Sequence, residues 1–290
     1  MKNIIFSIFI DIPEEEVDNP GWYENGIQVK TDKSFNTVNA LRENKKEIIA
    51  AHEAYAESIG AKYFLVEEDT YNQWADTFFK KDYPDLSTYD LINIFKHYYM
   101  RECANRYDGI CYIDFDVIPN TSENIFEAHD IENKFCCANS NDKAAWGKEV
   151  SPDQYNTCIR NPATKYWNTH AMLLEQGHDP DNDVFNTGIM ISSSKILKQL
   201  DYFKDFRKNM DLMKRLKTSE ETMYPENIRR VFGYDNETLF SYIVKTRNIP
   251  IEFIDKSWHY IVDEKFDDPK RMDPSAKMYH FINKKMEWAL

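Results

Sequence analysis

Gly109-Ile110-Cys111-Tyr112-Ile113-Asp114-Phe115-Asp116-Val117 decides how the rest of the chain is read. Residues 109–113 form a charge-free apolar run, the pattern of a strand buried on both faces. Two carboxylates then follow at i, i+2, and in an extended backbone that spacing sets both side chains on one face. Pro119 and Asn120 mark a turn just beyond. Two hard anionic ligands at a strand's end suit a divalent cation that keeps open positions for phosphate oxygens. The plainer alternative is an acidic strand-to-loop junction that binds nothing, and the tripeptide alone does not separate the two.

The 290 residues, 42% hydrophobic and 14% aromatic, are ample for a packed core. No linker, repeat or low-complexity stretch marks a boundary, so a single domain is expected. A net charge of −13 and a pI near 5.1 argue against a surface built to grip a nucleic-acid backbone. The opening Met1-Lys2-Asn3-Ile4-Ile5-Phe6-Ser7-Ile8-Phe9-Ile10 has the charge and apolar run of a signal peptide. It meets Asp11 and Glu14-Glu15-Glu16 without a small-residue cleavage site, however, and is read as a first core strand. No stretch reaches the length of a membrane span. Five cysteines, with Cys136-Cys137 adjacent and no C-x-x-C, indicate neither a disulfide framework nor a zinc site. The sequons Asn120-Thr121-Ser122 and Asn236-Glu237-Thr238 touch segments assigned below to the site, where a glycan would obstruct it. The expected location is a reducing one, the cytoplasm of a bacterium or of a phage-infected host.

Eight glycines, none placed for G-x-G-x-x-G or a Walker loop, leave out a dinucleotide-binding dehydrogenase and a P-loop kinase. A strand near residues 3–11 precedes a helix from about Asn36 to Ile59, whose stripe is Val38, Leu41, Ile48, His52, Tyr55 and Ile59, with Gly60 as its stop. A strand at 62–66 and a helix from about Asp90 to Arg106 lead into the strand before Asp114, an alternation that implies a parallel sheet. Ligands of such sheets bind beyond the carboxyl ends of the strands, where Asp11, Glu67, Glu68, Asp114 and Asp116 all fall. Residues 140–183 lack apolar periodicity and predict a long loop or small helices over the site. Beyond them the pattern predicts a strand at 184–191, helices near 194–215 and 237–245, and strands at 251–254 and 277–282.

Asp114-Phe115-Asp116 resembles the Asp-x-Asp signature of GT-A glycosyltransferases, which hold a metal ion against the donor diphosphate with it. Four further segments in matching order extend the likeness over most of the chain. Lys96 lies on the helix before the metal strand, where related enzymes carry a basic residue. Phe185-Asn186-Thr187-Gly188-Ile189-Met190 is similar to the strand that re-enters their active site. Asp235-Asn236-Glu237 resembles the Asp-Gln-Asp segment of glycosyltransferase family eight. His280-Phe281-Ile282-Asn283-Lys284-Lys285-Met286-Glu287-Trp288 resembles the closing His-x-x-Gly-x-x-Lys-Pro-Trp, with His280 and Trp288 in register. Asn283 stands for the glycine, Met286 for the lysine and Glu287 for the proline, which removes the usual diphosphate-binding lysine.

The resemblance implies an α/β, GT-A-like (Rossmann-like) single domain, a mixed, mainly parallel sheet flanked by helices, with a nucleotide-binding half at 1–120 and an acceptor-side half at 121–290. It implies metal-dependent transfer of a sugar from a nucleoside diphosphate sugar, a UDP-sugar first among them, to an acceptor hydroxyl with retention of configuration. Asp114, Asp116 and His280 become ligands of Mn2+ or Mg2+, and Asp114 also reaches the ribose. Asp11 and Glu67, with Glu68, face the nucleoside; Lys96, Gly188 and Lys285, or Lys284 in its place, serve the donor. Asp235, Glu237 and Asn186 form the catalytic group around the transferred sugar. Residues 140–183 become the acceptor side and a lid, with Trp146, Tyr155, Tyr166 and Trp167 suited to stacking on a ring.

Each assignment has a structural counterpart: a solvated helix face for Lys96, packing for Gly188, an N-cap for Asp235, a core residue for His280 and strand-end surface acids for Asp11 and Glu67. Haloacid-dehalogenase-type phosphatases also open on an apolar strand with Asp-x-Asp, but near the chain start and followed by Gly-Thr, whereas here Val117-Ile118-Pro119 follows mid-chain. A non-catalytic nucleotide-sugar binding module is the third reading. A small glycan, a lipid-linked sugar, a protein hydroxyl and a modified DNA base would all serve as acceptor. The composition is similar to that of large tailed-phage proteins, which points to hydroxymethylated cytosine within that set.

Overall fold

A computed structural model describes residues 2–12, 22–24, 27–29, 33–84, 86–142, 144, 162–218, 235–262, 269–282 and 284–290. Its strands are β1 (Asn3–Ile8), β2 (Trp22–Glu24), β3 (Ile27–Val29), β4 (Lys62–Val66), β5 (Gly109–Ile113), β6 (Val117–Pro119), β7 (Phe135–Asn139), β8 (Phe185–Ser193), β9 (Ile251–Phe253), β10 (Tyr260–Val262) and β11 (Met278–Phe281). Its helices are α1 (Lys33–Glu43), α2 (Lys45–Ser58), α3 (Glu68–Phe78), α4 (Thr88–Cys103), α5 (Ile125–Ala128), α6 (Pro162–Glu175), α7 (Ser194–Leu200), α8 (Phe206–Thr218) and α9 (Asn236–Arg247).

The charge-free run of β5 sits inside a six-stranded sheet of order β4-β1-β5-β8-β7-β9, and all its residues are buried. Successive side chains enter opposite layers, as the period of a strand requires. Phe6, Ile110, Tyr112, Cys137 and Met190 pack with Trp74 of α3, Phe95 of α4 and Phe240 of α9. Their chain neighbours Ile5, Cys111, Ile113, Cys136 and Ile191 pack on the other face with Tyr55 of α2, Trp258 and Met278. Each large apolar side chain so buried contributes roughly 1.5–3 kcal/mol. Helical cover on both faces explains why these strands read as continuous apolar runs.

β1 is parallel to β4 and β5, and β7 to β9, while β8 runs antiparallel to both β5 and β7. The fold is therefore mixed α/β with a mainly parallel sheet, and the uniformly parallel sheet implied by the early alternation ends at β5. The helix expected over 36–59 is two, α1 and α2, turning at Asn44. Gly60, at φ 67°, closes α2 as expected: its N–H reaches Glu57 O at 3.1 Å and that of Ala61 reaches Ala56 O at 2.9 Å. The helix expected near 194–215 is split where Asp201 takes φ 39°. α3, with Tyr71, Trp74 and Ala75 buried at helical spacing, was legible in the sequence and not expected. Within the stretch expected as a long loop or small helices, residues 162–175 form a regular 14-residue helix, whose buried Thr164, Asn168 and Thr169 mask its apolar period. Trp146 and Tyr155 lie outside the described residues. Cys103, Cys111, Cys136 and Cys137 are buried and free.

A second sheet of order β10-β11-β6 leans on the first, with Phe115, Ile118, Val262 and Phe281 in its core. His52 joins the two. Its Nε2 lies 2.6 Å from the Val117 carbonyl, which fixes the N–H there. Its Nδ1 therefore accepts, at 3.1 Å each, from the Ser7 and Tyr63 hydroxyls.

Burial pushes the His52 pKa down from 6.5 to about 4, against the opposing pull of the Val117 carbonyl and Asp116. The unfolded chain thus takes the proton first. The contribution is fully present above pH 6.5 and is lost as pH falls from 6.5 toward 4, by at most about 3 kcal/mol. Urea midpoints measured at intervals across that window should fall for the parent protein. They should fall less steeply for His52→Gln, and parallel slopes would show that His52 does not carry the effect.

Candidate functional site

The backbone at 114–116 leaves the large sheet and enters the small one. Asp114 N–H donates to Gly188 O at 2.7 Å, one step beyond the β5–β8 ladder, and Val117 N–H closes a turn onto Asp114 O at 3.0 Å. The two aspartates are thus brought together by a tight turn between strands, and not by the pleat of one extended strand as the i, i+2 spacing suggested. β6 pairs with β11 so that Val117 faces His280, and Phe281 N–H donates to Asp116 O at 3.1 Å. This register delivers the imidazole: His280 Nε2 is 3.4 Å from Asp116 Oδ2 and 3.9 Å from Asp114 Oδ2. One ligand atom from each of Asp114, Asp116 and His280 lies within 4.8 Å of the others, Asp114 half-buried and the other two buried. Two carboxylate oxygens and one imidazole nitrogen at this spacing fit Mn2+ or Mg2+.

Cations already crowd these carboxylates. Burial pushes the Asp116 carboxyl up, but the Lys284 ammonium on its Oδ2 and the adjacent His280 more than offset this and hold it well below the usual carboxylate range. Lys284 takes a left-handed φ of 70°, which costs a non-glycine residue about 1–2 kcal/mol. Lys285 instead lies over the Trp288 ring, 5.5 Å from its centroid. Lys96 is buried, so it is not on a solvated helix face. Its ammonium donates to Thr187 O at 3.2 Å and stands 3.7 Å from Asp114 Oδ1, which also accepts from the Tyr112 hydroxyl. Gly188 is required by close approach: a Cβ there would meet His280 Cε1 at 2.7 Å and Asn186 Oδ1 at 3.0 Å. Asn186 Oδ1 accepts from Gly188 N–H at 2.9 Å.

Thr187 connects this cluster to a second one. Glu237 Oε1 accepts from its N–H at 2.7 Å and its hydroxyl at 3.1 Å, while Asn236 donates to the same hydroxyl at 3.0 Å. Glu237 Oε2 is held by Lys165 of α6. Burial raises the Glu237 pKa, but the ammoniums of Lys165 and Lys96 and the Thr187 N–H outweigh it, so the carboxyl is held below its usual value and stays ionised. Asp235 caps α9, its Oδ1 accepting from Glu237 N–H at 2.9 Å and Thr238 N–H at 3.0 Å; its Oδ2 lies 3.9 Å from Lys165.

The other expected residues lie on the strand-end rim. Asp11 pairs with Arg42 at 2.5 Å, and its N–H donates to Glu68 Oε1 at 2.6 Å; Glu67 pairs with Lys45 at 2.7 Å. Tyr166 is buried with Ala144 and Val184, and Trp167 packs against that cluster. Both sequon asparagines are engaged, Asn120 donating to Ala276 O at 2.8 Å and Asn236 to Thr187. Lys165 and His259 were not legible as site residues. Lys165 does share a helix face with Asn168, Thr169 and Met172, a polar-apolar stripe that a search at helical spacing would find. His259 offers no pattern at all.

No protein-family model and no curated protein matches the chain. Among solved structures, a glycosyltransferase involved in glycosylation of the major capsid of PBCV-1 is similar over 97% of this chain and 93% of its own, at 13% identity and a TM-score of 0.44. Galactosyltransferase LgtC, in complex with donor and acceptor sugar analogues, is similar over 97% and 87%, at 10% identity and a TM-score of 0.43. Mouse xyloside xylosyltransferase 1 is similar over 97% and 98%, at 12% identity and a TM-score of 0.45. At such scores the overlays are loose, and the chemistry is read from the side chains themselves.

Lys284→Met removes the ammonium that competes with a dication for Asp116 Oδ2. Mn2+ titration of the donor-free variant, followed by the EPR signal of free ion, should show roughly tenfold tighter binding. Asp116→Asn should abolish saturable binding at unchanged circular dichroism. Weaker binding by the Lys284 variant would make that ammonium a support of the ligand set.

Proposed function

We propose that the chain is a metal-dependent, GT-A-like glycosyltransferase that moves a sugar from a nucleoside diphosphate donor to an acceptor hydroxyl with retention. The observation that carries this reading is the convergence of Asp114, Asp116 and His280 at the turn between two sheets, one threonine away from the ionised Glu237–Lys165 pair. Asp114, Asp116 and His280 would hold Mn2+ or Mg2+, which supplies Lewis-acid stabilisation of the leaving diphosphate.

The charges around the turn favour that ligand. Lys96 and Lys284 match the two carboxylates, so the pocket is near neutral by itself and a bound dication leaves it positive by about the charge of a diphosphate. A chain of net charge −13 can thereby bind an anionic donor. In the transfer, the bond from the anomeric carbon to the diphosphate oxygen breaks with its electron pair going to the diphosphate. The acceptor hydroxyl oxygen forms the new bond to that carbon, and its proton passes to the departing diphosphate oxygen. Asn186, Asp235 and Glu237 are assigned to the sugar hydroxyls, and Gly188 to close backbone approach. Asp11, Glu67 and Asp114 are assigned to the nucleoside, with uracil as the base, and the cation beside the diphosphate to Lys284 in place of Lys285. The acceptor is assigned to the half at 121–290, with glycan and hydroxymethylated-cytosine acceptors as the two to test first, and the site of action to the cytoplasm. Among the described residues no helix is long and apolar enough to cross a membrane.

Thermal shift with Mn2+ across nucleoside diphosphate sugars tests the donor, since a ligand at 100 times its Kd raises stability by about 2.7 kcal/mol. NMR of the product's anomeric proton reads retention. Release of phosphate from a phosphomonoester, with no donor-dependent shift, would favour the phosphatase chemistry instead. Asp235→Asn separates capping from sugar contact, because asparagine caps as well as aspartate. Turnover should fall about 100-fold at an unchanged melting temperature; near-parental turnover would leave Asp235 a cap alone.

A further inference from the structure

His280 has two ring nitrogens, and only one of them faces the carboxylates. The other, Nδ1, lies 2.7 Å from Nε2 of His259, in the chain just before β10, and both rings are buried. Two lone pairs cannot face each other at that distance, so one hydrogen lies between the rings. If His259 donates it, His280 Nε2 carries the other hydrogen and points an N–H at Asp116. If His280 donates it, Nε2 presents a lone pair to the space bounded by Asp114 and Asp116. Only the second arrangement lets the imidazole act as a ligand.

We propose that His259 is a positioning residue for the metal site: it accepts the Nδ1 hydrogen of His280 and so holds that ring in the ligating tautomer and orientation. This inference rests on the metal-dependent reading above. The ring cannot easily escape the constraint, because its Cε1 and Nδ1 edge lies against Gly188, where even a methyl group would collide at 2.7 and 2.9 Å. His280 is thus held by a backbone wall on β8, the β6–β11 register and a hydrogen-bond acceptor next to β10. Partners that orient a ligating histidine change metal affinity without touching the ion.

The test compares Mn2+ binding by the full chain with that of His259→Leu, which has no acceptor, and His259→Gln, whose side-chain carbonyl replaces it. The Leu variant should bind Mn2+ roughly 10- to 100-fold more weakly and lose the imidazole 14N modulation of the bound ion in pulsed EPR, as His280→Ala should. The Gln variant should recover the modulation and most of the affinity, which a purely structural role for His259 would not produce. Unchanged affinity and modulation in the folded Leu variant would overturn the inference while leaving the metal site standing. Failure of the Gln variant to rescue a weakened Leu variant would overturn it too. If the parent protein binds no Mn2+, both this inference and the metal-dependent reading fail.

Discussion

An ionised carboxylate buried at the turn between two sheets must be neutralised where it sits, and much of the local architecture follows from this one requirement. Asp116 would be raised toward protonation by burial alone; Lys284 and His280 hold it ionised. Lys284 reaches it from a left-handed backbone position, and His280 through the pairing of β6 with β11. Lys96, buried in α4, stands 3.7 Å from Asp114 Oδ1 while also bonding β8 through Thr187 O. Removing either ammonium would leave an uncompensated charge, and in protein interiors such a charge costs several kcal/mol.

What the sequence revealed and what it concealed divide along physical lines. β5 was legible because a strand buried on both faces carries an uninterrupted apolar run, β8 through its Ile189-Met190-Ile191 centre, and Gly60 because a left-handed stop favours a glycine there. The candidate ligands Asp114, Asp116 and His280 were picked out by residue type and do converge, but their geometry was not legible: the spacing of Asp114 and Asp116 suits an extended strand, and tertiary pairing puts them across a turn instead. Lys165 and His259 make contacts 72 and 21 residues away in the chain, to Glu237 and His280; a helical stripe marks the face that Lys165 shares but not its partner, and His259 has no stripe at all. In the tail, the sequence leaves Lys284 and Lys285 equivalent, and it is the positive φ of Lys284 that turns its ammonium onto Asp116.

Glu237 and Asp235 show how one segment carries two kinds of work. Asp235 ends the exposed N–H groups of α9, and Glu237 fastens that helix to β8 through Thr187. Both are therefore rigid before any ligand arrives, which is what a polar group must be if it is to stabilise developing charge without reorganising.

The candidate ligand atoms are shared between two sheets: Asp114 belongs to the end of one, and Asp116 with His280 to the other. The bite of the site is thus set by how the sheets dock, as the gape of a pair of tongs is set at the pivot. Phe9 and Phe115, whose ring centroids are 5.0 Å apart, form part of that pivot without offering any donor atom. In the proposed metal site, residues of this kind would set selectivity among ions of different radius while remaining invisible to every motif.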